Sequence, residues 1–244
     1  KKAHIPQPGG DKIGRRRLDT HIRGFEKLGV RFEYDSDESL FTLDGTAMQG
    51  ATILLGEPSV TGTANIVMAA VLTPGTTTIY NAACEPYVQQ LCHMLNRMGA
   101  KISGIASNKI VIEGVEKLKG CEHRMLADMI EVGSFIGLAA MTQSELIIKN
   151  ADVEHLGVIP ETFQQLGIDL RIEGDDIYVP AQEHYRIQKF IDGSILTVYD
   201  HPWPGFTPDL LSIILVTATQ AKGTVLVHQK MFESRLFFVD KLIE

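Results

Sequence analysis

Apolar positions along the chain change period several times, and the changes recur. From residue 65 a helical stretch carries Ala69 and Ala70, and Gly75 then opens the β-rich run Thr76 to Tyr80. Val88, Leu91, Cys92, Leu95 and Met98 follow at three-to-four spacing, which predicts a second helix stopped at Gly99. Two short strands are predicted around Lys101 to Ser103 and Ile110 to Ile112. Residues 132 to 179 repeat the sequence of events: Ala139 and Ala140 stand seventy positions after the first Ala pair, and Leu146 to Ile148 is the strand. Ile159 to Leu166 is the second helix and Gly167 its stop, with Leu170 to Ile172 and Ile177 to Val179 as closing strands. An earlier copy shows as a helix from His21 to Leu28, Gly29, and strands over Arg31 to Tyr34 and Leu40 to Leu43. A later one starts at Leu210, passes Gly223 and the strand Thr224 to His228, and enters a helix near Arg235.

The pattern predicts about three and a half α-β-α-β-β units in an α/β protein. Units this small cannot bury both faces alone, so each must pack its helices against neighbouring copies. Coincidental alternation is the competing reading, and the aligned Gly and Ala-Ala positions weigh against it.

Composition narrows the class. The chain has 244 residues, 44% of them apolar and 22% charged, enough for a substantial core and unlike a disordered or fibrous chain. No run approaches eighteen consecutive apolar residues, so no membrane contact is expected. A net charge of −7 argues against a general nucleic-acid binder, yet a local cationic cluster can still hold an anion. Cys84, Cys92 and Cys121 lack CxxC spacing and fit free thiols in a reducing cytoplasm, the expected location. No metal-ligand spacing and no GxGxxG after a strand appear, so neither metal nor cofactor is expected. The chain opens on Lys1 and stops within the amphipathic pattern Leu236 to Glu244, which suggests a segment of a longer protein.

Three segments carry candidate chemistry. In Pro8-Gly9-Gly10-Asp11-Lys12-Ile13-Gly14-Arg15-Arg16-Arg17-Leu18-Asp19-Thr20-His21, a flexible turn precedes three Arg, whose planar forks suit oxyanions. A solvated basic loop would look the same. Pro58-Ser59-Val60-Thr61-Gly62-Thr63 precedes a helix predicted from Ala64 to Leu72; its hydroxyls and amides could hold a phosphate, or Ser or Thr could simply cap the helix. Asp200-His201-Pro202-Trp203-Pro204-Gly205-Phe206-Thr207-Pro208-Asp209 is stiff and aromatic, and Asp209 reads either as an N-cap or as a general base.

These segments, with Glu85-Pro86, Asp128 to Gly133 and Met231-Phe232-Glu233-Ser234-Arg235, occur in an order and spacing that resemble the UDP-N-acetylglucosamine 1-carboxyvinyltransferase family of enolpyruvyl transferases. The resemblance implies two similar domains of α/β repeats, an inside-out α/β barrel arrangement with the active site between them. Here they would be residues 1–126, carrying a mobile loop, and 127–244, the first part of a second domain. It also implies transfer of the enolpyruvyl group of phosphoenolpyruvate to the sugar 3-hydroxyl by addition and elimination, with phosphate released, in peptidoglycan and cell-wall synthesis. UDP-N-acetylglucosamine and phosphoenolpyruvate are then the partners, while oligomeric state is not fixed.

By the same resemblance Asp11 is the proton donor, standing where most members carry Cys, which implies insensitivity to fosfomycin. Arg16 is a catalytic, ligand-clamping arginine. Arg17, Leu18, Asp19, Thr20 and His21 lie along the nucleotide and sugar. Pro58, Ser59 and Val60 form the second nucleotide segment, with Ser59 at the diphosphate. Asp209 is the base at the 3-hydroxyl, Met231 a sugar contact and Arg235 a lining arginine. Glu57 stands where Lys is common, and Cys84 and Met129 where Arg is common, the latter two near the expected domain link. The family's N-terminal Lys-Asn pair, an upstream Arg and a late Arg that contacts phosphoenolpyruvate have no counterpart here, so the 244 residues alone are not expected to turn over. A 5-enolpyruvylshikimate-3-phosphate synthase-like transferase and a non-catalytic nucleotide-sugar-binding protein are the rival readings.

Overall fold

A computed structural model of the chain describes residues 2–6, 18–231 and 236–243. Its described residues fall into two compact units, divided between Met125 and Leu126.

In the first unit the strand β1 (Lys2–Pro6) precedes helix α1 (Asp19–Lys27), followed by β2 (Arg31–Asp35) and β3 (Leu40–Asp44). These strands form an antiparallel sheet in the order β1-β3-β2. Then come β4 (Thr52–Leu54), α2 (Val60–Ala70), β5 (Thr76–Tyr80), α3 (Pro86–Arg97), β6 (Lys101–Ser103) and β7 (Lys109–Glu113). The sheet order is β4-β5-β7-β6; β4 runs parallel to β5 across the α2 crossover, and the other pairings are antiparallel. Alternation along β5 and β7 turns Thr77, Ile79, Ile110 and Ile112 inward. The three Ile meet Ile66 and Val67 of α2 and Val88, Cys92 and Leu95 of α3 in one core.

The second unit holds α4 (Met129–Thr142), β8 (Leu146–Ile148), α5 (Ile159–Gln165), β9 (Arg171–Glu173) and β10 (Asp176–Val179), with sheet order β8-β10-β9. After them come β11 (Tyr185–Arg186), β12 (Leu196–Tyr199), α6 (Leu211–Ala218), β13 (Ala221–Lys222), β14 (Val225–His228) and α7 (Val239–Ile243). β12 pairs with β14 in parallel across the α6 crossover, as β4 does with β5 across α2. The core gathers Ile136, Phe163, Leu166, Ile177, Leu210, Leu211 and Ile214, each fully or almost fully buried.

The predicted repeats are present, with physical corrections. An extra strand opens the α2 and α6 units, so they read β-α-β rather than starting at a helix. Helix α2 begins at Val60 instead of Ala64, because Ser59 caps it: the Ser59 hydroxyl accepts the Gly62 amide at 3.1 Å. Helix α1 begins at Asp19, two residues before His21. The helical reading near Arg235 lies outside the described residues.

Candidate functional site

The sequence-selected residues fall into two groups, one in each unit. Asp11, Arg16, Arg17 and Arg235 lie outside the described residues.

In the first unit the first turn of α1 packs beside the start of α2. The approach is close because Gly24 lacks a side chain: a Cβ there would stand 2.2 Å from Ile66 Cδ1. Leu18, Thr20 and His21 are half-buried and Asp19 is exposed. The Thr20 hydroxyl donates to Glu57 Oε1 at 2.9 Å, joining α1 to the turn before α2. The Asn65 amide donates to His21 Nδ1 at 2.9 Å, and Thr61 Oγ1 lies 3.4 Å from His21 Nε2. With Nδ1 accepting, the neutral ring carries its proton on Nε2. Burial pushes the His21 pKa below its ordinary 6.5, and the nearby Glu57 carboxylate acts in the opposite, smaller sense.

Pro58, Ser59 and Val60 are half-buried at the positive end of α2. Because Ser59 Oγ accepts the Gly62 amide, its own O–H remains a donor for an anion. The simple cap and the anion contact are therefore compatible here. Thr63 fixes the turn from beneath, donating to Ser59 O at 2.7 Å and accepting from the Ala83 amide at 3.0 Å.

In the second unit the chain leaves β12 through Asp200 and turns back at once. The His201 amide donates to Phe206 O at 2.8 Å and the Gly205 amide to Pro202 O at 2.9 Å, with a cis bond between Trp203 and Pro204. Trp203 Nε1 donates to His155 O at 3.0 Å, and the Val158 amide donates to Pro204 O at 3.1 Å. The segment then enters a 3-10 turn, Pro208–Leu210, whose cap position is Thr207. Asp209 is thus inside the turn and exposed, not its N-cap. Leu210 anchors the turn, fully buried against α4 where Gly133 leaves room: a Cβ on Gly133 would lie 2.4 Å from Leu210 Cδ1. A buried Leu beside an exposed Asp gives the carboxylate a rigid base and open access.

Met231, half-buried, sits just past β14. Its amide donates to Asp200 Oδ2 at 3.1 Å, and the Lys230 amide donates to Asp200 Oδ1. The Lys230 ammonium lies 3.4 Å from the centre of the Tyr199 ring.

Three departures noted in the sequence also find places. Glu57 is a hydrogen-bond acceptor for Thr20. Met129 is 4% exposed and fills the core of the second unit. Cys84 is half-buried, and burial raises its thiol pKa, with Glu85 adding to the effect. Sequence reasoning assigned no role to Glu57, Asn65 or Asp200. Their signal was long-range pairing, as in the 44-residue separation of Asn65 and His21, which no local pattern carries. Among the described residues no cluster of three His, Cys, Asp or Glu could hold a metal, and no helix is long and apolar enough to cross a membrane.

Residues 3–244 match the model of the EPSP synthase (3-phosphoshikimate 1-carboxyvinyltransferase) family. UDP-N-acetylglucosamine 1-carboxyvinyltransferase of Bacteroides thetaiotaomicron is 69% identical over 243 residues, covering all of this chain and 56% of that protein. The protein of the same name from Porphyromonas gingivalis is 64% identical over 242 residues, covering 99% of this chain and 56% of its own length. The chain therefore spans about half the length of these curated relatives. Among solved structures, the enolpyruvyl transferase NikO from Streptomyces tendae superposes with a TM-score of 0.81 at 16% identity, over 99% of this chain and 56% of that one, a likeness of fold. With its repeats, its pairing of βαβ crossovers and a family match running nearly end to end, the chain belongs to the EPSP synthase family of enolpyruvyl transferases.

Proposed function

We propose that this chain is part of an enzyme that transfers the enolpyruvyl group of phosphoenolpyruvate to the 3-hydroxyl of UDP-N-acetylglucosamine, releasing phosphate, at the entry to peptidoglycan synthesis. The observation that carries the reading is the 69% identity, over the whole chain, to a transferase of that name. The two residue groups described above are what such chemistry needs.

Addition joins the sugar 3-oxygen to C2 of phosphoenolpyruvate while a proton is added at C3; elimination then breaks the C2–O bond to phosphate and removes a proton from C3. Asp209, exposed on a rigid turn, is the candidate to take the hydroxyl proton. Asp11 is the candidate donor at C3. A free Asp has a pKa of about 3.9, so this role needs anionic ligands nearby to raise it. Ser59 at the start of α2 offers its O–H to the diphosphate, and His21, its Nδ1 already accepting from Asn65, offers Nε2–H. Arg16, Arg17 and Arg235 supply candidate cations, and Leu18, Asp19, Thr20, Pro58, Val60 and Met231 candidate nucleotide-sugar contacts. The free thiols of Cys84, Cys92 and Cys121 fit a cytoplasmic place for these small substrates.

The test is phosphate release by the full gene product. Release with UDP-N-acetylglucosamine as acceptor is expected, and Asp209→Asn should lower kcat by about 10²-fold or more. Release with shikimate 3-phosphate alone would overturn the choice of acceptor. Nucleotide-sugar binding without any release would overturn the transfer reading.

A further inference from the structure

We propose that Asp200 is a positioning residue that sets the sugar-contact segment at Met231 in register with the Asp209 turn. The inference rests on the functional reading above for the roles of Met231 and Asp209. Asp200 is fully buried, although a carboxylate is among the side chains least tolerated without water. Its two oxygens accept two consecutive backbone amides, those of Lys230 and Met231, thirty residues further along the chain. Such charge-assisted bonds are the geometry in which a buried carboxylate is sustained.

The placement gives the residue leverage. On its C-terminal side the chain passes directly into the turn closed by His201 N to Phe206 O, and so to Asp209. Across the parallel β12–β14 pair, which ends with Tyr199 opposite His228, it fixes Lys230 and Met231, the second and third residues past the last ladder position. The strand pairing alone would leave Lys230 and Met231 beyond the ladder with unpaired amides. One carboxylate therefore ties together the two segments that carry Asp209 and Met231. The Lys230 ammonium over the Tyr199 ring braces the same junction from outside.

Asp200→Asn is nearly isosteric but has one acceptor oxygen, and its NH2 would confront a backbone N–H, so one of the two amides loses its partner. In the full gene product this variant should raise KM for UDP-N-acetylglucosamine about tenfold, leaving KM for phosphoenolpyruvate within about twofold and kcat within about threefold. A folded Asp200→Asn with lowered kcat and both KM values unchanged overturns the proposal, because a merely structural role predicts that pattern. If Asp200→Asn does not accumulate folded, Lys230→Pro removes one of the two N–H donors and keeps Asp200 and Met231, with Lys230→Ala as control for the lost ammonium. A KM for the nucleotide sugar raised in Lys230→Pro but not in Lys230→Ala supports the assignment; equal values in the two refute it. Wild-type protein that releases no phosphate from UDP-N-acetylglucosamine overturns the functional reading itself. Active wild type with an unaltered Asp200→Asn overturns only the role of Asp200.

Discussion

His21 shows how burial of one side chain becomes a pH dependence. Its pKa in the folded protein lies below the ordinary 6.5, so between the two values the unfolded chain binds more protons than the native one. The stability contributed by the neutral, Asn65-bonded ring is therefore fully present above pH 6.5 and is lost as pH falls from there through the lower folded-state value. Thermal melts should show a drop in Tm between pH 7.5 and 5.5 that is smaller in His21→Gln; an equal drop in both would exclude His21 as its source. Asp11 carries a second residue-scale expectation. A carboxylate is a poorer nucleophile toward an epoxide than a thiolate, so the enzyme should resist time-dependent inactivation by fosfomycin, and Asp11→Cys should acquire it. Inactivation of the wild type at the same rate as the variant would refute this. His21 was legible in the sequence through a motif, Pro8 to His21. Its surroundings were not: Glu57 and Asn65 meet α1 only because two helices separated by some forty residues pack side by side.

Elements were legible where their apolar period was long. The helices from α1 to α5 and the strand pairs β6–β7 and β9–β10 stand within a few residues of their predicted bounds. The short strands β4 and β12, three and four residues long, gave too little alternation to register, although they set the parallel crossovers on which both residue groups stand. The contact between α1 and α2 is testable. Gly24→Ala should destabilise the protein by about 1–3 kcal/mol despite the better helix propensity of Ala, because its Cβ meets the Cδ1 of a fully buried Ile66. Ile66→Val removes Cδ1, so the double variant should be more stable than the sum of the two single effects predicts. Additive effects in chemical denaturation would show that α1 adjusts by moving away.

At the scale of the whole molecule, apolar surface remains uncovered. Phe135 and Leu138, one helical turn apart on α4, are 47% and 52% exposed, and α4 is apolar around most of its circumference. The 244-residue chain by itself should consequently self-associate at about 100 µM, and Phe135→Ser with Leu138→Ser should reduce the mass measured by light scattering. A wild-type chain that stays monomeric at that concentration would count against this reading of the exposed face.

The glycines that follow α1, α3 and α5 have a further consequence, for how the protein tolerates change. Gly29, Gly99 and Gly167 adopt φ values of +90°, +104° and +90°, a region L side chains rarely enter. A saturation map of tolerated substitutions should thus dip three times at intervals of about seventy residues, a periodicity in fitness where the sequence itself has diverged. The dips should differ in depth. A Cβ at Gly29 would stand 2.8 Å from Ala47 O and one at Gly167 2.4 Å from Arg186 N, whereas at Gly99 it would meet nothing within 4 Å. Asn, which enters this region at modest cost, should be accepted at Gly99 and rejected at the other two, so the freedom to vary has become unequal among copies that share one backbone shape.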